Sequence, residues 1–162
     1  GGNEMTRNTP DSAEFPQPPG NESWGPPPDD PIDRLDWDYA RKTFLGKDRR
    51  QARVLFHENP IERTADLRSM PDQPFRYYLS AFAEYLLSEE IRASEERGDA
   101  ASCFLTLVLQ TLESRKSRIE PVLERLMPVI RQVAGEQEHF DAPAHIYGHF
   151  QETLRDIEKL AG

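Results

Sequence analysis

Phe75-Arg-Tyr-Tyr-Leu-Ser-Ala-Phe-Ala-Glu-Tyr-Leu-Leu87 is the stretch on which the fold turns. At helical spacing, Phe75, Tyr78, Leu79, Phe82 and Leu86 fall on one face. Tyr77, Ala81 and Tyr85 make a second apolar ladder beside it, so Arg76, Ser80, Glu84 and Ser88 form one narrow polar stripe. A helix apolar on nearly every side is enclosed by other helices, and the rest of the chain must pack around this one. Asp72 and Gln73 offer caps at its start. Pro74 suits the first turn, where a missing N–H costs nothing.

Working outward, the upstream chain reads as three shorter helices. Asp33 or Asp36 caps the first, which carries Leu35, Trp37, Tyr39, Ala40, Phe44 and Leu45 and ends at Gly46. Asp48 opens the second, with Ala52, Leu55 and Phe56 on one face, and Asn59-Pro60 stops it. A short third helix, Ile61 to Ser69, ends at Met70-Pro71. Downstream, Asp99 is the expected N-cap of a heavily buried helix through Ser114, bearing Phe104, Leu105, Val108, Leu109 and Leu112. Glu120-Pro121 begins the next, with a kink or break expected at Pro128 and an end at Gly135. Asp141-Ala-Pro143 starts a last helix whose Ile146, Phe150, Leu154, Ile157 and Leu160 form one stripe. No alternating period-two segment of useful length occurs. The expectation is an all-α bundle of about six helices.

Composition divides the chain. Residues 1–31 hold eight of the fourteen prolines and carry one Arg against six acids, more than half of the net charge of −9. They read as a disordered, acidic, Pro-rich tail before a helical domain over 32–162. Trp24 does not suit a solvated segment: it either folds back onto the domain or anchors a partner. Nucleic acid is disfavoured by the acidic balance. No stretch approaches the ~20 apolar residues of a membrane span, and no basic segment followed by an apolar one marks a signal peptide, so the expected compartment is the cytoplasm. The single cysteine, Cys103, lies in an apolar run and reads as a small buried hydrophobe.

Asp66-Leu-Arg-Ser-Met-Pro-Asp-Gln-Pro-Phe-Arg-Tyr-Tyr-Leu-Ser-Ala-Phe82 resembles a segment of small uncharacterised bacterial helical proteins. Those carry an acidic-Leu stretch followed by an F-x-Y-Y-L-P-A-F run. The likeness covers residues 37–90, with Ser80 where that pattern has proline. It implies no particular activity. By analogy of type, some small helical bacterial proteins act as immunity or adaptor partners.

Two constellations carry chemistry. His139, His145, His149 and Glu152 gather near the C-terminus, and an i, i+4 histidine pair on one helix turn can chelate zinc or another transition metal. The catalytic His-Glu-x-x-His form is absent. Arg49, Arg50 and Arg53 lie in a basic segment suited to an acidic protein partner, with Trp24 as the competing anchor. No Gly-rich phosphate loop, nucleophile elbow or paired-cysteine zinc spacing is present. The expected role is a non-enzymatic interaction protein of immunity or adaptor kind, without a cofactor. The alternative is a metal-binding protein or metal-dependent hydrolase built on the histidines.

Overall fold

Trp24 lies at the bottom of the core, wholly buried, and this changes where the folded unit begins. The computed structural model describes residues 17–162. Its first helix, α1 (Asn21–Trp24), is a single turn packed against the domain. The Trp37 indole N–H donates to the Trp24 carbonyl at 3.2 Å. Arg41 donates to Asn21 at 2.6 Å, and the Ser23 hydroxyl reaches Gln73 at 3.0 Å. The expected tail boundary at residue 31 is thus corrected for residues 17–31, which belong to the fold; residues 1–16 lie outside the described part. The physical reason is Trp24 itself, whose large apolar surface repays ordering a short proline-bounded segment.

Four helices follow in close succession. In α2 (Pro31–Phe44) the cap is Asp30, whose carboxylate accepts from the Ile32 and Asp33 N–H groups, with Pro31 at the first position. α3 (Arg49–Glu58) opens with a capping box between Asp48 and Gln51. Asn59 caps α4 (Pro60–Arg68). The central helix, α5 (Asp72–Leu86), buries all but a few of its residues, Ser80 included. Neither Asp72 nor Gln73 caps it. The Asp72 carboxylate instead pairs with Arg115. Phe56 of α3 stacks on Phe82 at 4.4 Å, and Phe104, farther along the chain, meets the same ring edge-on at 5.5 Å. The Tyr78 hydroxyl, 2.7 Å from the Phe44 carbonyl and 2.8 Å from that of Lys47, donates into the α2–α3 turn and ties it to the core.

A short 3₁₀ turn (Glu90–Ala93) leads into α6 (Arg97–Gly135). α6 begins before Asp99, which does not cap it; the Asp99 carboxylate accepts from the Tyr147 hydroxyl at 2.6 Å. Helical structure runs through both internal prolines. The backbone leaves the helical region at Arg115 (φ −159°, ψ 72°), beside the expected helix end at Ser114, while the helix continues through Pro128, the expected site of a kink or break. Pro121 lacks the N–H that would bond the Ser117 carbonyl, and Arg76 reaches across from α5 to that carbonyl at 3.1 Å. A second Arg76 bond goes to the Arg118 carbonyl at 2.8 Å. The start of the second half of α6 is therefore bonded from the central helix.

The expected last helix is corrected too. Residues Ala144–Tyr147 make a separate turn, α7, and Gly148 (φ 73°) breaks the chain before α8 (Phe150–Ala161). Ile146 is consequently exposed, while Phe150, Leu154 and Ile157 bury α8 against α6. Among the described residues there is no strand, and six helices have seven residues or more. No helix of the described residues is long and apolar enough to cross a membrane.

Candidate functional site

The four C-terminal candidates are not brought together as a chelate. His145 lies on α7, His149 is the N-cap of α8 and Glu152 sits in the first turn of α8. The break at Gly148 denies the two histidines a shared helical turn. His139 is in the turn before them, its ring edge-on to Phe140 at 5.5 Å. His149 lines a cleft with Glu138 and Asp141. Yet among the described residues no group of three or more His, Cys, Asp or Glu side chains is placed to hold a metal ion. The i, i+4 reading assumed one continuous helix, and one glycine undoes it.

The arginine cluster is divided in a similar way. Arg49 turns inward: its guanidinium is 2.9 Å from Glu84 and lies 4.8 Å over the Tyr77 ring, joining α3 to α5. Arg53 is half-buried and Arg50 is exposed. Trp24, the competing anchor, is inside the core. Cys103 is half-buried, and burial pushes its thiol up, away from the reactive thiolate.

A surface not singled out in the sequence stands out instead. On α2, Ile32, Leu35, Asp36 and Tyr39 recur at i, i+3, i+4 and i+7, and Ile32 (72%), Leu35 (69%) and Tyr39 (54%) face solvent. The opposite side of the same helix carries Trp37, Ala40 and Phe44 into the core. Helix α2 is thus apolar on two faces and needs only one of them to fold. Its outer face borders a groove of about 480 Å³ lined by Leu35, Asp36 and Tyr39 from α2 and Glu62, Ala65 and Asp66 from α4. Positions 62, 65 and 66 of α4 and its C-cap Ser69 repeat the same helical spacing along the groove.

The electrostatics of this groove are acidic. Asp66 is buried and lies 2.9 Å from Arg63. Burial pushes the Asp66 carboxyl up to about 6, against the pull of Arg63, with Glu62 and Asp36 adding to the rise. Arg63 also lies 5.9 Å over the Tyr39 ring, which fixes that ring beside the opening. With Arg63 matched by Asp66, the carboxylates of Asp36 and Glu62 are in excess.

The other clefts described are not lined by exposed large apolar side chains. The cleft between α6 and α8 is floored by Leu123 and Met127, but both are already buried. The cleft by Arg68, Arg115 and Arg118 is held by internal bonds: Arg118 donates to the Leu67 and Met70 carbonyls and stacks on Phe75 at 3.9 Å. Its guanidinium is lowered to about 10 by burial and by the neighbouring Arg115. It serves as a strut between α4 and α6. The signal for the α2–α4 surface was present in the sequence, since Leu35 and Tyr39 lie well around the helix from Trp37 and Phe44. Comparison with protein-family models, curated proteins and solved structures finds no match to this chain.

Proposed function

We propose that this protein is an interaction module that docks another protein on the outer face of α2. One observation carries the reading: Ile32, Leu35 and Tyr39 stand exposed along one helix face, beside a groove, while the other face of α2 already satisfies the core. Scattered exposed apolar residues need no explanation, but a contiguous row on a groove edge marks an interaction surface. Covering each such side chain is worth about 1.5–3 kcal/mol before ordering costs. An adaptor- or immunity-type role agrees with this arrangement, because such proteins act by occupying a surface.

The arginine segment is the weaker candidate, since Arg49 is committed to Glu84 and Tyr77. Affinity purification from cells that naturally express the protein tests the two surfaces against each other. The full chain is compared with Leu35→Glu/Tyr39→Glu and with Arg50→Glu/Arg53→Glu, each first checked for unchanged thermal unfolding. The expected result is a partner lost with the first variant and kept with the second. A partner kept by the first and lost by the second would return the site to the arginines and to an acidic partner.

A further inference from the structure

The α2–α4 groove also specifies the chemistry of what occupies it. We infer that its occupant is a basic amphipathic helix of a partner protein, laying an apolar stripe on Leu35, Tyr39 and Ala65 and its Lys or Arg residues against Asp36 and Glu62. This deepens the interaction reading above and rests on it.

Shape comes first. Two helices flank the groove, α2 with Leu35, Asp36 and Tyr39 and α4 with Glu62, Ala65 and Asp66, and a third helix is the element that seats between such rows. Among the described residues there is no strand, so an added β-strand has no edge to pair with. Charge then selects among helices. Asp36 and Glu62 flank the apolar floor, and Arg63 is matched by Asp66. The surplus is negative, so a neutral or acidic helix would have to desolvate these carboxylates without an opposite charge.

The same argument counts against two other occupants. A second copy of this chain, paired groove to groove, would set Asp36 and Glu62 against the same two carboxylates. Residues 1–16 carry Arg7 against Glu4, Asp11 and Glu14, again net negative.

The test is a titration of the full chain with two synthetic peptides of about 16 residues, long enough for one amphipathic helix. Both have leucines at i, i+3, i+4, i+7 and i+11; the remaining positions are Lys-rich in one and Glu-rich in the other. The Lys peptide is expected to bind about tenfold or more tightly than the Glu peptide at low salt, with the gap narrowing as salt screens it. Asp36→Asn/Glu62→Gln closes that gap, whereas Glu89→Gln/Glu90→Gln, an equal charge change elsewhere, leaves it open. Leu35→Ser/Tyr39→Ser abolishes binding of the Lys peptide.

Equal binding of the two peptides overturns the inference, as does an equal effect of the two charge variants. Sedimentation showing a dimer that Leu35→Ser/Tyr39→Ser dissolves would assign the face to a second copy instead. If neither peptide binds while purification still loses its partner with Leu35→Glu/Tyr39→Glu, this inference fails and the interaction reading stands. If purification shows no dependence on that face, both fail.

Discussion

Asp66 is the residue whose environment is least favourable to its charge. Its carboxyl is raised from 3.8 to about 6, chiefly by burial. A carboxyl that holds its proton more tightly in the folded than in the unfolded chain makes stability fall as pH rises between those two values, and flatten above the upper one. Asp66→Asn keeps the neutral form at every pH. Its stability relative to the wild type is therefore expected to improve from about pH 4 to about pH 6 and then level off. Urea unfolding across that range checks this. A difference that is flat, or that moves against the variant, would show that Arg63 outweighs burial. At the same scale, the left-handed Gly148 (φ 73°) disfavours any side chain. Gly148→Ala should cost about 1–2 kcal/mol in denaturant unfolding; no loss would mean that α7 and α8 can join as one helix.

Among the elements, α1 and α2 carry the two consequences that matter most. Trp24→Ala removes a wholly buried indole and is expected to cost about 3–5 kcal/mol. A loss below about 1 kcal/mol would return this segment to a tail that merely touches the domain. For α2 the outer face should be dispensable to folding: Leu35→Ser/Tyr39→Ser is expected to change stability by no more than about 0.5 kcal/mol per site. A larger loss would make those side chains part of the core.

Much of this could be read in advance, and the failures have physical causes. The enclosed α5 was legible because apolar residues on all sides leave a helix no exposed face to choose. α2 was harder: two apolar rows on one helix give no hint which turns inward, and burial is decided by Trp24 and Phe56, which are distant in sequence. The last helix was overextended because apolar spacing from Ile146 to Leu160 continues in phase across Gly148, whose positive φ has no periodic signature. Arg49 looked like surface because Glu84 and Tyr77, which hold it, come from the central helix, Glu84 lying 35 residues farther along the chain, beyond any local pattern. The break at Arg115 was legible, because the apolar pattern stops at Ser114 and restarts at Glu120-Pro121, whereas Pro128, the visible breaker, leaves the helix running. The Arg76 bond that accommodates Pro121 is visible only in three dimensions.

At the scale of the whole molecule, α3 and α6 close on α5, α8 closes on the second half of α6, and α2 has one face left over. The central claim is that this leftover face is where the protein meets its partner. Amide hydrogen exchange on the full chain, alone and in complex with the partner recovered by purification, tests it most directly. The account predicts slowed exchange over residues 32–39 of α2 and 61–69 of α4, with the Arg50 and Arg53 turns of α3 unchanged. Slowing confined to residues 49–53, or to the 139–152 segment, would contradict it.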